Sequence, residues 1–507
     1  MNNQIKILNF MNKHLRTLRI VVATLIFITI TCGFLNMSGG NPLSQALLRT
    51  QFVPALVSVF TGSALAFIIL MLLTLLFGRV YCSFLCPLGI FQDIIYRISK
   101  FARKRANGGK KHREVYRKPH NILRYTILVL SGISFAALFT YPVALLDPYS
   151  NYGRIATHVF GTVETFITNM LSGVMPDYFF TQKYVSIGSV AFIYSLVFFF
   201  VVVVFSAARG RLYCNTICPV GSFLGLVGGI SLFKPVLDKE KCVKCGLCAG
   251  SCKSNCINLE TKEIDATRCV ACYDCIVSCK RGGVKLVPTW FRKRKSDEPY
   301  HRNIESVERR NALIAMGGFA VAAGAKYIGK KVGAKDIADE KGAIMPPGAR
   351  NLQAFKDSCT ACHACVAACP NNIIKPAFFE YGADGIMLPT LKYDKKYCSY
   401  NCNTCSQTCP HGALEHISLE VKQKTQIALA KYDPTTCVVV TDGVKCGACS
   451  RSCPAGAIQM KENPVTPGQF LPSIDSSLCI GCGACEYSCP AMPKAIMVTG
   501  KTKQTVI

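Results

Sequence analysis

Between Cys242 and Cys279 the chain reads CVKCGLCAGSC, then Cys256, then CVACYDCIVSC. Cys242, Cys245 and Cys248 stand at intervals of three, with Cys252 four further on, and Cys269, Cys272, Cys275 and Cys279 repeat that spacing. Three thiolates this close wrap one face of an iron–sulfur cube, and the fourth, just past the loop, reaches the other cube of the pair. The spacing therefore assigns Cys242, Cys245, Cys248 and Cys279 to one [4Fe–4S] cluster. It assigns Cys269, Cys272, Cys275 and Cys252 to a second. Zinc sites use pairs of CxxC and do not need the additional cysteines of each run. The proline that usually follows the fourth cysteine is missing, since Lys253 and Lys280 stand there. Cys256 is surplus and is expected to pack near the second cluster.

Four more cysteine groups follow MPPGA at Met345–Ala349, about every forty residues. Cys359, Cys362, Cys365 and Cys369 have the standard spacing, as do Cys479, Cys482, Cys485 and Cys489. Cys398, Cys402, Cys405 and Cys409 carry one extra residue in the first gap, and Cys437, Cys446, Cys449 and Cys453 a first gap of eight residues. Each group ends in Cys-Pro, at Pro370, Pro410, Pro454 and Pro490. Sixteen ligands make four further cubes, six in all. Even spacing leaves the exchange of fourth cysteines open: neighbours pair, or first with fourth and second with third.

The first half of the chain is apolar. Leu18–Met37, Pro54–Phe77, Ile122–Tyr141 and Tyr184–Ala208 are each long enough to span a bilayer. Arg19 sits at the inner rim of the first and Arg124 near the start of the third. The segment from Arg97 to Arg124 carries eleven Lys/Arg against Glu114, whereas Pro142–Lys183 carries only Arg154 and Lys183. The positive-inside bias puts both ends of this four-span part in the cytoplasm. Residues 155–175 are half apolar but include His158 and Glu164, and are expected to form an interfacial helix on the outer surface. No cleavage site follows the first apolar run, so no removable signal peptide is read.

The spans repeat. GRVYCSFLCPLG at residues 78–89 and GRLYCNTICPVG at 210–221 are offset by 132 residues. Each half is two spans, a turn with CxxxCP, and an amphipathic tail, which implies a pseudo-symmetric membrane domain. Pseudo-symmetry would bring Cys82, Cys86, Cys214 and Cys218 together. Four thiolates in one place are costly unless protonated, oxidised or metal-bound, so a further thiolate-bound metal or cluster is one reading of these residues. A structural turn, with Pro87 and Pro219 opening the next helix, is the other.

After a basic linker with Arg292 to Lys295, Arg309-Arg310 precede a mild, glycine-rich apolar run, Asn311–Ala325. This pair is read as a stop for a fifth single span, or as an internal twin-arginine export signal. Either way, the chain beyond Ala325 is expected to lie outside the cytoplasm.

Several other functions are disfavoured. CTACH at 359–363 matches a haem-attachment pattern, but Cys365 and Cys369 complete a ferredoxin motif on the same residues, so no haem is expected and His363 is read as a solvent-side residue of the cluster loop. No histidine lies mid-span to ligate a membrane haem. Asp147, His158 and Glu164 are outer-side candidates for a quinol site. No Walker A, dinucleotide-binding or nucleophile–base pattern stands out. The net charge of +29 invites nucleic acid, but six cubes at roughly −2 each lower it to about +17, and much of the remainder flanks spans.

The spans, the two YCxxxCP turns and the following two-cluster domain resemble NapH-type membrane polyferredoxins, and more loosely the NosR and CcoG types. PPGA with four cysteine groups resembles the NapG/MauM-type ferredoxins, normally separate exported proteins. Together these likenesses cover nearly the whole chain. The resemblance implies electron transfer between the quinone pool, or a cytoplasmic donor, and a periplasmic reductase. Its implied partners are quinone or quinol, or a redox protein such as a cytochrome, and its implied place is a bacterial inner membrane, crossed several times. The alternative, of the CcoG kind, is a copper or thiol reductase for cofactor assembly that would use the CxxxCP thiols. The expected fold is an α-helical membrane bundle of four spans in two repeats plus a fifth single span. It carries α+β ferredoxin-like domains with two and four clusters. The expected boundaries are 1–233 for the membrane domain, 234–290 for the cytoplasmic two-cluster domain, 291–345 for the linker and fifth segment, and 346–507 for the four-cluster domain.

Overall fold

The computed structural model describes residues 2–35, 42–59, 64–106, 116–136, 141–176, 181, 190–289, 342–382, 385–410, 412–463 and 466–507. The chain forms two compact units. One comprises Met1–Cys32, Ala46–Ile155 and Ser195–Val332, and the other Gly33–Gln45, Ala156–Tyr194 and Gly333–Ile507. Arg309, Arg310 and the run to Ala325 lie outside the described residues.

The first unit is built on the helices Asn2–Phe34, Leu65–Phe77, Asn121–Ala136 and Val190–Arg209. His14–Phe34 and Val190–Arg209 are long and apolar enough to cross a membrane, while Leu65–Phe77 and Asn121–Phe135 are apolar but shorter. All four present exposed ridges of large apolar side chains. Leu18, Val21, Leu25 and Ile28 line one, Leu65, Ile68 and Leu72 another, Val129, Leu130 and Ile133 a third, and Ile193, Val197, Phe200 and Val204 the last. Polar residues turn inward instead: Arg19, Thr74, Arg124, Ser195 and Ser206 are all buried.

Both repeats break in the same way. A short helix, Tyr81–Phe84 or Leu212–Thr216, ends two residues before a cysteine whose successor is proline, and the proline opens Pro87–Ala106 or Pro219–Gly229. Proline fits there because its missing N–H would have no helical partner and its φ is already helical. The cysteine before it caps the new helix: Gly89 N donates to Cys86 Sγ and Gly221 N to Cys218 Sγ.

The two-cluster domain is closed by strands Phe233–Leu237 and Val284–Pro288, which pair antiparallel. They bracket the hairpin Ile257–Asn258 with Glu263–Ile264 and the short helices Leu247–Ser251 and Asp274–Ser278. In the second unit, backbone pairing begins at Gly342, whose carbonyl accepts from Gly500 N. That is slightly before the expected boundary at 346. Three antiparallel pairs organise this unit: Ile374–Pro376 with Pro389–Leu391, Ile458–Glu462 with Phe470–Ile474, and Thr425–Tyr432 with Ile496–Val506. Its core gathers Val366, Ile374, Ile427, Ala428, Ile480 and Ile496. The segment Gly161–Val174 turns Val163, Phe166, Ile167, Met170 and Val174 outward.

Candidate iron–sulfur centres

The loops that carry the cysteines have one geometry wherever the spacing is standard. Lys244 and Gly246, Ala271 and Tyr273, Ala361 and His363, and Gly481 and Gly483 all have positive φ, flanking the second cysteine of their motifs. Left-handed backbone costs a non-glycine residue roughly 1–2 kcal/mol. Three loops accept that cost, and the fourth meets the same geometry with Gly481 and Gly483, because successive N–H groups in such turns point into one concavity, which favours an anion. The two widened motifs lack the pattern: Asn403 has φ −128° and Gly447 has φ −173°. In the widest, the insertion after Cys437 forms the helical turn Val438–Thr441.

The sixteen C-terminal cysteines divide among four small cavities. Cys359, Cys362, Cys365 and Cys409 line one, and Cys369, Cys398, Cys402 and Cys405 the next. Cys437, Cys446, Cys449 and Cys489 line the third, and Cys453, Cys479, Cys482 and Cys485 the fourth. Fourth cysteines thus exchange between neighbours in sequence, first group with second and third with fourth. Each cavity collects three thiols from one loop and one from its partner. Among the described residues, no three His, Cys, Asp or Glu side chains converge closely enough for one metal ion. Zinc draws thiolates to about 2.3 Å from a common centre. A cube spreads its ligands over four corners, so these wider quartets suit the cube.

The two-cluster domain shows the same exchange. Cys279 lies within electrostatic reach of Cys248, together with Cys242. Cys252 lies within reach of Cys272 and Cys275. Cys256 does sit beside the second quartet, with Cys256 Sγ 3.5 Å from Cys252 Sγ and in contact with Cys269.

His363 departs from expectation. It is not a solvent-side residue but 1% exposed, and its Nδ1 lies 2.6 Å from His158 Nε2. Its Nε2 lies 2.9 Å from the Met387 carbonyl, which only accepts. In the neutral pair His363 Nε2 therefore carries a proton, Nδ1 accepts, and His158 donates. A motif scan sees only the loop around His363; the ring that covers it comes from 205 residues away.

The lysine in place of a proline also has a partner. Lys253 is 2% exposed and its Nζ lies 2.8 Å from Asp93 and 3.2 Å from Asp274. Asp93 also takes Arg211 at 2.7 Å and Arg19 at 3.2 Å, while Arg16 reaches Asp274 at 2.9 Å. Burial pushes the Asp93 carboxyl up, but Arg211, Lys253 and Arg19 outweigh it and hold the group well below the usual carboxylate range. Arg124 donates to the Thr267 carbonyl at 2.9 Å and to Thr267 Oγ1. Arginines at the rims of the apolar helices thus grip the loop that carries the second quartet.

The CxxxCP thiols do come together. Cys82, Cys86, Cys214 and Cys218 are all buried, and each lies within electrostatic reach of others in the set. Arg79 Nη2 donates to the Cys214 carbonyl, and Arg211 Nη1 to the Cys82 carbonyl. Each repeat's arginine therefore crosses to the other repeat's cysteine. The crossing needs glycine: a Cβ at Gly89 would stand 2.4 Å from Arg211 Nη1, and one at Gly221 2.8 Å from Arg79 Nη2. Sequence reasoning singled out the thiols but missed both arginines, although the Gly-Arg pair of each repeat carried the signal.

Comparison with known proteins agrees with the cluster chemistry. A family model described as a 4Fe-4S binding domain matches residues 59–106 and 192–238, the two CxxxCP repeats. A 4Fe-4S dicluster domain model matches 358–413 and 444–492, the same neighbouring pairs that share cavities. An uncharacterized protein of Methanocaldococcus jannaschii is 28% identical over 36% of this chain and 63% of its own length. The putative electron transport protein YccM of Escherichia coli K12 is 26% identical over 44% of this chain and 53% of its own. The methylamine utilization ferredoxin-type protein MauN of Paracoccus denitrificans is 27% identical over 34% and 48%. The chain thus spans about half to two thirds of these relatives. No solved structure matches. The chain contains 4Fe-4S ferredoxin domains, and its similarity is to ferredoxin-type electron transport proteins.

Proposed function

We propose that this chain is a multi-pass protein of a bacterial inner membrane, of the NapH type joined to a NapG/MauM-type ferredoxin. It passes electrons through six [4Fe–4S] clusters between the quinone pool, or a cytoplasmic donor, and a periplasmic reductase. The observation that carries the reading is the sorting of twenty-four cysteines into cross-paired quartets, four of them each lining a cavity of its own. The quartets are those formed by the six motifs from Cys242 to Cys489. Each cube, when bound, supplies a one-electron carrier. The residues of the chain fix its position, aim backbone N–H groups at it and exclude water.

Four apolar helices with outward ridges and inward polar residues support a four-span membrane part. The two-cluster domain is gripped by Arg19, Arg79 and Arg124, beside the cation-rich segment that the positive-inside rule assigns to the cytoplasm. His363 of the four-cluster domain meets His158, in the cation-poor segment assigned to the outside. Electrons cross between the two sides by quinol diffusion or through a partner that brings haem. The metal- or thiol-reductase reading requires an incoming ion to reach the CxxxCP thiols, and the burial of all four speaks against it.

The test is a redox titration of the purified protein against quinol and soluble donors, with protease added to spheroplasts. Reduction of the clusters by a donor, with the C-terminal domain cleaved from outside, supports the reading. A C-terminal domain that resists protease until the cells are broken contradicts the split.

A further inference from the structure

The four CxxxCP thiols are not used by the six ferredoxin-type quartets, yet the fold invests much in their surroundings. Each family-model match over this region contains only two cysteines of such a turn, too few to hold a cluster alone. We infer that Cys82, Cys86, Cys214 and Cys218 hold a single iron–sulfur cluster shared between the two repeats, with Arg79 and Arg211 offsetting its negative charge. The inference rests on the electron-transfer reading and adds a seventh centre to it.

Three observations carry it. First, three of the four sulfurs have donors. Arg79 Nη2 lies 3.8 Å from Cys82 Sγ, and the amides of Gly89 and Gly221 donate to Cys86 and Cys218. Such donors suit thiolates on a cluster. Second, three unsatisfied groups beside the set are donors: Arg79 Nε, Arg211 Nη2 and Gln92 Nε2 find no acceptor in the protein. Gln92 is the side chain whose amide oxygen is drawn 3.5 Å from Cys214 Sγ. Oxygen and nitrogen of such an amide are interchangeable by rotation, and turning it presents a further donor to the sulfur. Buried donors left over around a thiol set call for an anionic guest rich in acceptors, which inorganic sulfide supplies. Third, the site adjoins the second ferredoxin quartet. Arg79 Nη1 donates to the carbonyl of Thr267, two residues before Cys269, and Ser83 Oγ to that of Ala271, one residue before Cys272.

A tetrathiolate cluster carries about −2 when oxidised, and Arg79, with Arg211 shared with Asp93, faces that charge. The absence of a close three-ligand group among the described residues disfavours one metal ion here.

The experiment compares iron and acid-labile sulfide in the full-length protein with the variant carrying Cys82→Ser, Cys86→Ser, Cys214→Ser and Cys218→Ser, both purified anaerobically. The variant is expected to lose iron and sulfide in equal amounts, about four of each for a cube, while the spectral signals of the other clusters persist. Unchanged iron, or iron lost without sulfide, overturns the inference. Should the fourfold variant fail to accumulate, Arg79→Gln gives a second reading. It should lower the midpoint potential of one centre and leave the others unmoved. No shift in any centre overturns the inference as well. A parent protein lacking the ferredoxin-type clusters would instead overturn the underlying reading, and the parent's own iron content reports that separately.

Discussion

Arg79 donates to the Cys214 carbonyl at 3.1 Å across 135 residues of chain, and its counterpart Arg211 returns the bond to Cys82 at 2.8 Å. The repeat offset of 132 residues maps one arginine onto the other and one cysteine onto the other. Two half-units therefore lock by the same pair of bonds made twice, as a pseudo-two-fold axis requires. The symmetry breaks one step out. Arg79 continues to Asn215 and Thr267, and Arg211 to Asp93. That break gives the helical half a distinct face, against which the two-cluster domain seats.

Lys253→Pro would restore the proline that cluster motifs usually carry, yet it should destabilise the first unit. It removes the ammonium shared by Asp93 and Asp274, and breaking a buried ion pair costs about 3–5 kcal/mol. Thermal unfolding in detergent should show a lower midpoint for Lys253→Pro and for Lys253→Met alike. Lys280→Pro, at the matching position of the second motif, serves as the control.

Neighbour exchange makes specific predictions about fourth cysteines. Cys409→Ser should damage the centre held by Cys359, Cys362 and Cys365, not the one held by the other cysteines of its own motif. Cys489→Ser should likewise damage the centre of Cys437, Cys446 and Cys449. Spectra of each variant, combined with a loop variant such as Cys362→Ser, decide the matter. Cys409→Ser added to Cys362→Ser should remove no further centre if the assignment holds.

His158→Leu removes the ring that meets His363 Nδ1 in a buried contact. Loss of a buried hydrogen-bond partner costs about 1–3 kcal/mol. The second unit should melt earlier, and His158→Gln, which keeps an N–H donor, should recover part of the loss. Equal melting of all three proteins would show that the contact carries no stability.

Asp93 makes the first unit acid-sensitive. Its folded-state carboxyl is held below the ordinary range by Arg211, Lys253 and Arg19 against the opposing effect of burial. A depressed carboxylate contributes stability that is fully present above the unfolded pKa, near 4, and is lost as pH falls below it. The stability difference between wild type and Asp93→Asn should therefore be flat from about pH 8 to 5 and shrink below about pH 4. A difference that grows on acidification would contradict the network.

The cysteine motifs were legible because cluster chemistry is local: in four of the six, three ligands fall within seven residues, and their spacing survives any tertiary context. The repeat was legible for a similar reason, since Arg79, Cys82 and Gly89 recur as Arg211, Cys214 and Gly221. The exchange of Cys369 and Cys409 was not. Even spacing permits two pairings, and packing of the loops chooses between them. Lys253 read as a lost proline because its partner Asp93 lies 160 residues away. His363 read as a surface residue because nothing near it in sequence hints at His158. Charge and ring partners that meet across such separations leave no periodic trace.

The central claim is that twenty-four cysteines hold six cubes, and iron with labile sulfide tests it most directly. In anaerobically purified protein carrying serine at Cys82, Cys86, Cys214 and Cys218, both should approach about twenty-four per chain, four for each cube. Values near eight, the content of two cubes, or iron without matching sulfide, would contradict the account.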